Sequence, residues 1–66
     1  VSRLWYVVEL VGDMGVRIEP GHPCEAEALL ALADKYVDLP DGADVEYVVE
    51  PSDPAGPWAY ARPHQH

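Results

Sequence analysis

Residues 3–11 read RLWYVVELV, and the direction in which each of these side chains points decides how the rest of the chain must fold. Along a strand successive side chains alternate between faces. Leu4, Tyr6, Val8 and Leu10 therefore share one side, and Arg3, Trp5, Val7 and Glu9 the other. The first set is the more uniformly apolar and is assigned to the core beneath a helix. The second leaves Trp5 and Val7 on a face that something else must cover.

Outward from this stretch the chain punctuates itself. GDMG at 12–15 has the glycines and aspartate of a short hairpin loop, and VRIE at 16–19 alternates again, with Val16 and Ile18 inward and Arg17 and Glu19 outward. A helix is predicted from about Pro23 to Tyr36. His22 is placed at its N-cap, Pro23 at the first helical position, Glu25 and Glu27 in the first turn and Lys35 near the end, the order that the helix dipole favours. Ala26, Leu29, Leu30, Ala33 and Val37 follow the i, i+3, i+4, i+7 pattern and are read as its core stripe, flanked by Leu32 and Tyr36. After the LPDGAD turn at 39–44, VEYVVE alternates as a third strand, with Val45, Tyr47 and Val49 on one side and Glu46, Val48 and Glu50 on the other.

From Pro51 the composition changes. The last sixteen residues carry four prolines, which cannot continue a helix or a central strand. The sequence thus divides into a small α+β domain at 1–50 and a Pro-rich tail at 51–66 that can dock through Trp58 and Tyr60. The order β-β-α-β, with a right-handed crossover over the first strand, gives a three-stranded antiparallel sheet in the order 2-1-3 with one helix on one face. No second helix is left for the other face.

A chain of 66 residues buries only about 60% of the surface its unfolded form exposes, so a second apolar surface weighs heavily in its behaviour. One cysteine excludes an internal disulfide, and no Cys/His set has structural zinc spacing. The net charge of −8, with four Lys and Arg in all, argues against direct binding to nucleic acid or to an anionic membrane. No secretory or membrane-spanning pattern is read, and a cytoplasmic protein is expected. A start at Val1 and the abundance of Ala, Val, Asp and Pro suit a GC-rich bacterial or phage gene with a GTG start.

Signals of chemistry are sparse. Cys24 near the helix start, with His22 two residues before it, is the arrangement that lowers a thiol pKa, but no second cysteine or orienting carboxylate accompanies it. His64 and His66 make only an i, i+2 pair. Asp34, Asp38, Asp41, Asp44, Glu46 and Glu50 form an acidic field that could imitate the phosphates of a nucleic acid. No catalytic residue, cofactor or metal is expected.

The aromatic anchors are the stronger signal, because Trp and Tyr dominate interface energetics once desolvated. The expectation is a non-enzymatic protein–protein interaction factor, a small acidic accessory or regulatory protein. It would bind a host or cognate protein, basic in character, through the helix-free sheet face or a strand edge. Trp5, Val7, Val48, Trp58 and Tyr60 are the partner-binding residues on this reading, and a homodimer is the expected closed form. The alternatives are a structural homo-oligomeric subunit and an acidic mimic that blocks a nucleic-acid-binding protein.

Overall fold

The computed structural model describes residues 3–62. Strands β1 (Leu4–Val11) and β2 (Met14–His22) form a hairpin, helix α1 (Glu25–Val37) follows, and β3 (Glu46–Ser52) and β4 (Ala59–Ala61) complete the chain. All pairings are antiparallel and the sheet order is β3-β1-β2-β4. The α+β class, the single helix and the central β1 agree with the sequence pattern. The sheet has four strands rather than three, because part of the Pro-rich segment returns to it. A turn at 53–56, closed by the Gly56 N–H donating to the Asp53 carbonyl at 2.8 Å, reverses the chain. Ala59–Ala61, a proline-free stretch, then pairs with the outer edge of β2. No helix among the described residues is long and apolar enough to cross a membrane.

The β1–β2 loop is Gly12–Asp13, since Val11 pairs with Met14, and Gly12 takes the left-handed φ of 57° that such a turn requires. This loop fixes the faces. Val16 lies across from Glu9 and Ile18 across from Val7, so the inward residues of β2 share a side with Trp5, Val7 and Glu9. On β3, Tyr47 pairs with Glu9 and Val49 with Val7.

Helix α1 covers that side. The Tyr36 ring meets the Tyr47 ring edge-on with centroids 5.4 Å apart, and the Tyr47 hydroxyl donates to Glu9 at 3.2 Å. The expected face of β1 is therefore reversed: Trp5 and Val7 lie under the helix, and Leu4, Tyr6, Val8 and Leu10 on the opposite side. The assignments for β2 and β3 hold.

Two further corrections concern the helix. It begins at Glu25 with Cys24 as its N-cap residue, not at Pro23 with His22. His22 is still in β2, paired with Trp5, so the backbone cannot turn helical until after it. The buried line of α1 is also not the expected one. Ala28 is completely buried and Leu32 half-buried, whereas Leu29, Leu30 and Val37 are exposed. The close approach to a sheet face already filled by Val7, Val16, Ile18 and Val49 suits a small side chain at position 28.

Candidate functional site

The sheet face away from the helix is already roofed, by the chain's own C-terminal segment. Arg17, at the centre of β2, lies 4.2 Å over the Tyr6 ring and is only 8% exposed. Its guanidinium donates to the Ser52 hydroxyl (3.2 Å), the Asp53 carbonyl (2.8 Å) and the Pro54 carbonyl (3.1 Å), and its Nε to Glu19 (3.1 Å). A buried charge needs this many partners to offset its desolvation.

Further along, Tyr60 and Arg62 both donate to the Glu50 carboxylate. Burial pushes the Glu50 carboxyl up, but the two hydrogen bonds and the Arg62 charge outweigh it, and it titrates below its ordinary range. Burial first, and then the same carboxylate, raise the pKa of the Tyr60 hydroxyl. Gly15 lies beneath this group, where an added Cβ would come within 3.1 Å of both Tyr60 and Arg62. A cavity of about 180 Å³ remains between Val8, Arg17, Glu50 and Tyr60, but its polar walls are the groups that hold the roof in place.

The strand edges are only partly closed. The Tyr36 hydroxyl accepts from the Tyr47 N–H (2.9 Å) and donates to the Tyr47 carbonyl (3.2 Å). Outward-facing backbone groups alternate along a strand, so the next such positions on β3 are Val49 and Pro51, and Pro51 has no N–H. Besides the capped Tyr47, Val49 presents both groups outward. At the other edge β4 is three residues long and pairs only with Met14–Val16, so among the described residues 18–22 of β2 have no strand beyond them; short edges pair poorly with other chains.

What stays open is the outer side of α1. Nine of the thirteen residues in EAEALLALADKYV are apolar, more than one buried stripe can use. Ala28, Leu32 and Tyr36 turn to the sheet; the second line, Ala26, Leu29, Leu30, Ala33 and Val37, faces solvent. Leu30 is 71% exposed and Val37 80%. The two alanines leave shallow ground between these side chains. One flank is acidic: Glu27, Asp34 and Asp38 recur at i, i+7 and i+11 and are all exposed. Among the described residues none of the three forms an ion pair, Arg17 and Arg62 being engaged with Glu19 and Glu50.

The sequence-derived site residues do not form one patch. Trp5 and Val7 lie beneath the helix with Val7 only 2% exposed, and Val48 is across from Val8 on the roofed face. Tyr60 belongs to the roof, while Trp58 is exposed beside it. Of the acidic field, Glu50 is tied to Tyr60 and Arg62 and the others are exposed. The Cys24 thiol is exposed and donates to the Glu27 carboxylate at 3.7 Å. His64 and His66 lie outside the described residues. The residues missed as site candidates, Leu29, Leu30 and Val37, carried a clear signal in their spacing, but the spacing was assigned to the wrong side of the helix.

The chain matches no known protein family, no curated protein and no solved structure.

Proposed function

We propose that this protein acts by binding another protein, as a small accessory or regulatory factor, and that it does so through the solvent side of α1. The observation that carries this reading is the second apolar stripe. Ala26, Leu29, Leu30, Ala33 and Val37 have the spacing of a packing surface, yet all five are left exposed. A helix apolar on both sides is normally covered on both. Burying a leucine or valine side chain is worth about 1.5–3 kcal/mol, so covering this stripe would be substantially favourable. The roofed sheet face supports the same choice by offering less, and the uncovered lengths of strand edge are short.

Site-specific photo-crosslinking tests it. A crosslinker at position 30 or 33 should trap a discrete protein adduct in cells, and the same group at Glu19, an exposed residue on the roofed face, should not. Indistinguishable adduct patterns from the two faces would remove the helix as the docking surface.

A further inference from the structure

We infer that the occupant of the outer stripe of α1 is an amphipathic helix of a foreign protein that carries Lys or Arg along one flank. The inference rests on the docking reading above and adds the chemistry of the partner. The stripe from Ala26 to Val37 is about 16 Å long at the helical rise, a match for some three turns of a second helix. Its small residues at 26 and 33 allow that helix to come close, and Leu30 and Val37 are the knobs.

The charge beside the stripe selects among occupants. Glu27, Asp34 and Asp38 run along one flank with no ion pair among the described residues. In a two-fold antiparallel pairing of α1 with itself, this flank would meet its own copy, carboxylate against carboxylate. Two chains of net charge −8 would also be brought together. Opposite charge on the partner removes that repulsion and steers the encounter, so a basic flank fits where a second copy does not.

Three synthetic helical peptides test this, sharing one Leu/Ala stripe and differing only in flanks of Lys, Gln or Glu. Binding to the full chain is measured by calorimetry at low and high salt. The Lys peptide should bind about tenfold or more tightly than the Gln peptide and the Glu peptide most weakly, with the differences shrinking at high salt as screening sets in. Glu27→Lys with Asp34→Lys should reverse the order. Leu30→Asp should weaken all three, circular dichroism confirming that each variant is folded.

Equal affinity for the three peptides, with Leu30→Asp still weakening them, would overturn the basic partner and leave the docking surface standing. An unchanged affinity in Leu30→Asp would remove the docking surface itself. Equally tight binding of a Lys peptide whose stripe is replaced by Ser would reduce the effect to unspecific charge and overturn the inference. So would failure of the Lys peptide to bind, or a dimer in sedimentation that Leu30→Asp dissociates, the latter making a second copy the occupant.

Discussion

At the scale of single residues the molecule depends on two arginines used in different ways. Arg17 is buried against Tyr6 and gives its hydrogen bonds to Ser52, Asp53 and Pro54, so its planar fork is the feature that matters. Arg17→Lys keeps the charge and loses the fork, and should destabilise the fold by about 2–3 kcal/mol, the scale of hydrogen bonds to a charged group, in denaturant titration. Arg62 instead serves Glu50 in a half-exposed position. The folded-state pKa of Glu50 lies below its ordinary value of 4.5. The carboxylate therefore contributes its full stability above that value, and the contribution is lost as the pH falls through the lowered one. Melting temperatures followed from neutral pH to below 4 should show this loss, and Glu50→Gln should flatten that part of the profile. Neither arginine announces its role in the sequence: the partners of Arg17 are main-chain carbonyls more than thirty positions away, and alternation alone reads it as a solvated outward residue.

The elements differ in how much of them could be read. The faces of the hairpin were legible in its loop, although the sequence reading took β1 the wrong way round. Any loop with an even number of residues pairs odd positions with even ones, so both a two-residue loop at Gly12–Asp13 and a four-residue loop at 12–15 put Val16 and Ile18 opposite odd-numbered residues of β1. Apolar content favoured Leu4, Tyr6, Val8 and Leu10 for the helix side, and loop parity overrules it. The orientation of α1 was not legible, because its apolar residues extend over both sides and either line satisfies the spacing rule. Two substitutions distinguish the sides. Ala28→Leu should cost about 1–3 kcal/mol by overpacking against the sheet, whereas Leu30→Asp should stay within about 0.5 kcal/mol of the parent, both by thermal denaturation. At the β3 edge, Tyr36→Phe removes the cap on Tyr47. Its amide should exchange faster with solvent, and sedimentation should show a rise in self-association as the edge opens.

For the whole molecule, the division at residue 50 inferred from composition meets a structure in which β3 runs to Ser52 and β4 is part of the sheet. A change to proline-rich composition marked where regular alternation stops, but carried no information on where the chain goes next. Removal of residues 53–66 should expose Tyr6 and Val8 and strip Arg17 of its two carbonyl partners. Such a chain should lose its near-ultraviolet dichroism or aggregate, while Trp58→Ala, at a side chain 65% exposed, should change stability by no more than about 0.5 kcal/mol.

Arg17 holds residues 53 and 54 by their carbonyl oxygens, groups that almost every amino acid supplies in the same place. The grip is consequently indifferent to much of the spelling of the segment it restrains. Positions 54, 55 and 57 are exposed, so this bend is the natural place to graft a short foreign epitope or to randomise a display library. The anchor would persist through the rewriting, as it would through neutral drift of the same positions over evolutionary time.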